Sequence, residues 1–246
     1  MRANIFILLM FLAIGCKNIV EKPEVTVLFP EKFWKNGNYI LYDKYGIDIN
    51  GDGQNDSVLI YKIENSYPPG EFHKVVIKYS SGKVIDINNH DYYVSINRFK
   101  KREFRKYNLI PSDKLILTKI SENKTVLIIF GFSYETYPGR FTVIDIDENN
   151  PKVLFFDKFD FMSIEDVNQD NQKELIGFNY YKKWFGICYR DSISVNDTYH
   201  PFFVLNYKNE IFQTDTNLSA EYNYENYVGY FGLETDKRYT VIIPDP

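Results

Sequence analysis

Asp48-Ile49-Asn50-Gly51-Asp52-Gly53-Gln54-Asn55-Asp56 runs directly into Ser57-Val58-Leu59-Ile60-Tyr61, so oxygen side chains at loop positions 1, 3, 5 and 9 are followed at once by a β-type apolar run. Alternating positions in a tight bend aim successive side chains at one centre, and calcium, a hard cation, takes six to eight oxygens. Asp48, Asn50 and Asp52 supply the first three, the backbone carbonyl of Gln54 a fourth, and Asp56 a carboxylate on the far side. Gly53 permits the left-handed backbone that turns the chain back. A helix-loop-helix calcium hand wants Glu at position 12, but Leu59 stands there inside the apolar run, so this loop opens a strand. The alternative is an Asx-rich hairpin that satisfies its own backbone without metal.

The spacing returns at Asp166, Asn168, Asp170, Gln172 and Glu174, with Asn171 where the first copy has Gly53. Asparagine is the best substitute at a left-handed position. Before a further apolar run the chain reads Ser121-Glu122-Asn123-Lys124-Thr125, without the acids, and this copy is expected to hold no ion.

Three stretches share one order of parts: an apolar strand, a turn with Tyr and Pro, a second strand, a polar turn and a third strand. Strands are expected over 58–63, 74–79 and 83–87 around Tyr67-Pro68-Pro69-Gly70, and over 126–132, 140–146 and 152–156 around Tyr137-Pro138-Gly139. The third set covers 175–180, 202–207 and 210–213, with an insertion ending in Tyr199-His200-Pro201. β-Branched and aromatic runs punctuated by turn formers read as antiparallel meanders. A lone meander cannot bury its apolar face, so the expected fold class is all-β, a β-propeller-like stack of antiparallel meanders. A fourth blade is expected from 25–29 and 39–42, closed by 239–243. A β-sandwich built from the same meanders is the competing architecture. Long helices are not expected; a short one is placed between 98 and 107.

The loop-then-strand pattern over 48–60, and less closely over 166–177, resembles the FG-GAP or VCBS type repeat, the blade unit of integrin-alpha-like propellers. The resemblance implies blades stabilised by Ca2+ at their entrances.

The N-terminus carries Arg2, an apolar stretch over 5–14, then Gly15 and Cys16. That is too short for a spanning helix and reads as a secretory leader. Leu12-Ala13-Ile14-Gly15-Cys16 resembles a bacterial lipobox, which implies cleavage before Cys16 and lipidation of that residue. The expected organisation is therefore a signal peptide over 1–15, a lipid-anchored linker over 16–24 and one domain over 25–246. Lys17 and Asn18 lack the aspartate that resembles an inner-membrane retention signal, so in a host with two membranes the outer membrane is the expected location. With Cys16 acylated, Cys188 has no partner and no disulfide framework holds the fold. The net charge of −4 gives no field that favours nucleic acid.

Little in the chain speaks for catalysis. Gly131-Phe132-Ser133-Tyr134-Glu135 is no nucleophile elbow, the three histidines have no zinc spacing, and Cys188 with His200 reads as a small buried thiol and a loop imidazole. Six basic residues between Arg98 and Lys106 are a solvated connector or a contact for anionic head groups. Tyr180, Tyr181, Trp184 and Phe185 break the repeat pattern and are the candidate ligand-binding group, while Tyr222, Tyr224, Tyr227 and Tyr230 read as half-buried sheet. The expected function is a non-enzymatic, calcium-stabilised envelope lipoprotein that binds a glycan or protein. A polysaccharide hydrolase or lyase and an inhibitor or immunity lipoprotein are the alternatives.

Overall fold

The computed structural model describes residues 23–29, 38–65, 72–93, 102–132, 140–178, 188–190, 193–195 and 202–226, and it is all-β apart from one short α-helix and one 3-10 turn. β1 (Val25–Leu28), β2 (Tyr39–Ile47), β3 (Asp56–Ile63), β4 (Phe72–Lys78) and β5 (Val84–Tyr93) form the first unit. A 3-10 helix, Arg102–Tyr107, leads to β6 (Leu115–Ser121), β7 (Lys124–Phe132), β8 (Arg140–Asp145) and β9 (Lys152–Lys158). β10 (Asp160–Glu165), β11 (Glu174–Phe178), β12 (Cys188–Arg190), β13 (Ile193–Val195), β14 (Phe203–Lys208), β15 (Ile211–Thr214) and α1 (Thr216–Asn226) complete the described chain.

Three antiparallel meanders follow one another: β2-β3-β4-β5, β6-β7-β8-β9 and β10-β11-β14-β15. The first two are joined into one sheet where Tyr92 and Tyr93 of β5 pair Phe132 and Gly131 of β7. β12 and β13 form a separate hairpin inserted in the third.

The strand sequences explain the layering. Val126-Leu127-Ile128-Ile129-Phe130 is apolar at every position, the mark of a strand buried on both faces. In β7, Leu127 and Ile129 pack against the first meander with Val58, Ile60, Val75 and Ile77. Val126, Ile128 and Phe130 face the third meander with Phe161, Leu175, Phe203 and Leu205. The second meander is thus the middle layer. Phe104, 2% exposed, anchors the basic connector by stacking on Phe130 at 6.0 Å and tilting against Phe161 at 4.9 Å.

Three sequence expectations are corrected. The segments 25–29 and 39–42 do not make a fourth blade: β1 runs parallel to β5, Val25 opposite Val84, and β2 is the first strand of the first meander, Ile47 opposite Asp56, while the expected closing strand 239–243 lies outside the described residues. The acidic loop is the reason, because it closes a hairpin that ties β2 to β3. Second, each meander has a strand ahead of the three expected, namely β2, β6 and β10. Third, Tyr222 and Tyr224, expected in sheet, lie in the helix 216–226, while Tyr227 and Tyr230 lie outside the described residues. Asp215 starts the helix by accepting the N–H of Leu218 at 3.0 Å, an N-cap. The described strands form no closed ring.

Helix α1 covers the edge of β14 that β15 leaves. Ser219 Oγ accepts the N–H of Val204 at 2.9 Å, and the Asn223 side-chain amide both accepts the N–H of Phe202 at 2.9 Å and donates to its carbonyl at 2.7 Å. A side-chain amide thereby stands in for a strand backbone, which blunts an edge otherwise open to pairing.

Burial raises the Asp215 carboxyl, but the Lys208 ammonium at 2.6 Å and the Leu218 N–H outweigh it and hold the group below its usual 3.8. The folded group binds its proton more weakly than the unfolded one. Its contribution is complete above the unfolded value and is lost as pH falls through the lower folded value. The helical far-UV signal is expected to decay below about pH 4, and Asp215→Asn, still an N-cap, to remove that acid step. An unchanged acid titration in that variant would contradict the assignment.

Candidate metal centre

The two acidic loops occupy the same place in two meanders: 48–55 joins β2 to β3, and 166–173 joins β10 to β11. The corresponding link between β6 and β7 is the two-residue turn Glu122-Asn123.

The loops share their backbone as well as their spacing. Positions 4 and 6 are left-handed in both, Gly51 and Gly53 at φ 81° and 82°, Gln169 and Asn171 at 60° and 65°. The second loop adopts this shape without glycine, at a cost of roughly 1–2 kcal/mol for each such L-residue.

Four hydrogen bonds donated by backbone N–H groups repeat position by position. Asp48 and Asp166 accept the N–H of Gly53 and Asn171 at 2.9 and 3.0 Å. Asn50 and Asn168 accept those of Asp52 and Asp170 at 3.1 and 3.0 Å. Asp52 and Asp170 accept those of Gln54 and Gln172 at 2.7 and 2.8 Å, and Asp56 and Glu174 those of Ile49 and Val167 at 2.9 and 2.8 Å. Position 9 is the buried end of each loop, Asp56 at 1% exposure and Glu174 at 0%.

The loops differ in what surrounds that buried carboxylate. In the first, Asp56 Oδ1 also accepts the N–H of Ser80 at 2.8 Å, so both oxygens are used. Ser80 Oγ donates to Asp52 at 2.8 Å, and with the Gln54 N–H it draws the Asp52 carboxyl below its usual range. Asn50 Nδ2 reaches Glu148 of the second meander at 2.9 Å. In the second loop, Glu174 Oε1 is buried with no hydrogen-bond partner among the described residues. Burial, with the charges of Asp170 and Asp166 adding to it, pushes this carboxyl up to about 7. Gln172 Nε2 donates into β14, to Asn206 Oδ1 at 3.2 Å and the Tyr207 carbonyl at 3.0 Å.

Both loops lie at one end of the molecule. Lys83 bonds Asn149 at 2.7 Å between the first and second meanders, and Lys152 pairs Glu210 at 2.6 Å between the second and third. Because strands alternate in direction, the ends at Ile63, Phe132 and Phe178 point the other way.

Among the described residues, no group of three or more His, Cys, Asp or Glu side chains is drawn together closely enough to hold a metal ion; the loop carboxylates engage backbone N–H groups. The donor set nevertheless suits a hard cation, since every side chain at positions 1, 3, 5 and 9 offers oxygen. The second loop adds an orphaned, buried carboxylate oxygen.

Of the other expected site residues, Cys16, Tyr180, Tyr181, Trp184 and Phe185 lie outside the described residues, as does His200. Cys188 begins β12. The roles of Ser80 and Glu148 beside the first loop were not anticipated, because only the β3–β4 pairing and the packing of two meanders bring them there. No helix among the described residues is long and apolar enough to cross a membrane. Comparison with known proteins finds no matching family model, no matching curated protein and no matching solved structure.

Proposed function

We propose that the chain is a calcium-stabilised lipoprotein of the bacterial cell envelope, anchored through Cys16 in the outer membrane, that serves as a binding or scaffolding module for a glycan or protein. In this reading the three meanders are blades of a propeller-like stack of the FG-GAP or VCBS kind. The observation that carries it is the repeated loop, with one spacing, two left-handed positions and four matched hydrogen bonds, at the same entrance of two meanders. Such recurrence is unexpected for incidental acidic turns.

The residues that would hold the ion are Asp48, Asn50, Asp52, the Gln54 carbonyl and Asp56 in one loop, and Asp166, Asn168, Asp170, the Gln172 carbonyl and Glu174 in the other. The cation offsets repulsion among three carboxylates in each loop and so links ion binding to folding. The proposed ligand-binding group is Tyr180, Tyr181, Trp184 and Phe185, which follow β11 in the chain.

Calcium titration of the full-length chain in mild detergent, followed by thermal melting, tests the reading. At a hundredfold excess over the dissociation constant the melting temperature is expected to rise by roughly 5–10 °C. Replacing Asp48, Asp52, Asp166 and Asp170 together by Ala is expected to abolish the rise. A wild-type melt indifferent to calcium overturns the proposal.

A further inference from the structure

The two loops look interchangeable in sequence, and the first has the better glycine placement. Their surroundings rank them the other way. Asp56 has both oxygens occupied, by Ile49 N–H at 2.9 Å and Ser80 N–H at 2.8 Å, so the first loop is closed by its own hydrogen bonds. Glu174 is fully buried, and among the described residues its Oε1 has no hydrogen-bond partner, whereas Oε2 accepts the Val167 N–H at 2.8 Å. A fully buried carboxylate oxygen left without a donor is costly, and neither Asp166 nor Asp170 can relieve it, since both carry the same charge.

The second loop is also a junction. The Lys173 N–H donates to the Ile120 carbonyl of β6 at 2.7 Å, which ties the loop to the second meander. The Gln172 side chain ties it to β14 of the third meander. Whatever satisfies Glu174 therefore acts where two layers meet.

We propose that the second loop is the cation site on which the fold depends: a divalent ion there completes the coordination of Glu174 and locks the third meander against the second, whereas the first loop keeps its shape without an ion. This rests on the calcium reading above and adds a hierarchy between the sites. Glycine content, the feature visible in sequence, reports the ease of bending the loop. The buried oxygen reports what the bent loop still lacks.

The test compares Glu174→Gln with Asp56→Asn in the full-length chain in detergent, melting each with and without calcium chloride. Glu174→Gln is expected to lose at least about two thirds of the wild-type calcium-induced rise, while its cation-free melting temperature holds or increases, because an amide brings a donor and no charge. Asp56→Asn is expected to melt lower without calcium, since it loses an acceptor for one of two N–H groups, yet to keep most of the rise. Should Glu174→Gln fail to fold, the exposed carboxylates give the same comparison, Asp170→Asn against Asp52→Asn. Hydrogen exchange gives a second readout: calcium is expected to slow exchange over 166–178 by about tenfold or more and over 48–60 far less. A rise lost in the first-loop variants and kept in the second-loop variants overturns the hierarchy while leaving calcium binding intact. No rise in wild type overturns both.

Discussion

Phe141→Ala is expected to destabilise the protein by about 3–5 kcal/mol, read as a lower denaturant midpoint with an unchanged slope. Phe141, 1% exposed, sits in β8 on the face of the middle layer that meets the third meander. Its ring lies 5.2 Å from that of Phe161, 5.5 Å from Phe159, 5.6 Å from Phe130 and 6.0 Å from Phe155. Removing it takes away the transfer free energy of a buried phenyl and leaves a cavity lined by rings from β7, β9 and β10. Rigid neighbours on three strands cannot all close in, so the cost lies at the high end for a core truncation. Phe155→Ala, at the half-buried rim of the same cluster, is expected to cost less than half as much. Equal effects at the two positions would mean that the layers are not packed on this cluster.

How far the sequence foretold this arrangement depended on whether a position was decided locally. The acidic loops were legible because each oxygen-bearing position and each bend lies within nine consecutive residues. The strands after them were legible for the same reason, since turn-forming residues such as Ser81-Gly82 mark their limits in the sequence. β10 is not legible in the sequence because only Phe159 separates it from β9, so no turn former marks its start. β2 belongs to the first meander because hairpin closure by the acidic loop outweighs its neighbourhood to β1 in the chain. Helix α1 has no apolar stripe; it holds on through Ser219 and Asn223, one turn apart, and polar residues at that spacing carry no periodic signal. The orphaned oxygen of Glu174 was invisible in principle. Its counterpart Asp56 is satisfied by a backbone N–H at Ser80, a partner set by the tertiary pairing of the first meander alone.

Gly177→Ala is expected to cost about 3 kcal/mol and to loosen β10 from β11. Gly177 lies in β11 opposite Phe161, two residues from Leu175, which is fully buried. A methyl group there would run into the Asp160 backbone carbonyl and come within 2.6 and 2.7 Å of two carbons of the Phe159 ring. A ring could shift; a strand carbonyl held by pairing cannot shift without breaking the pairing. Phe159→Leu in the same chain is therefore expected to recover less than half of the loss, because it clears the ring and leaves the carbonyl. Near-complete recovery would assign the clash to the ring alone and would spare the strand pair. The consequence extends to the second acidic loop, since Glu165 and Glu174 close the β10–β11 ladder three residues from Gly177. If β10 lifts away, Val167 N–H no longer meets Glu174, and the calcium-induced rise in melting temperature is expected to shrink along with the stability. A variant that loses stability yet keeps the full wild-type rise would show that the second loop folds independently of its hairpin, contrary to the coupling argued from Glu174 and Lys173.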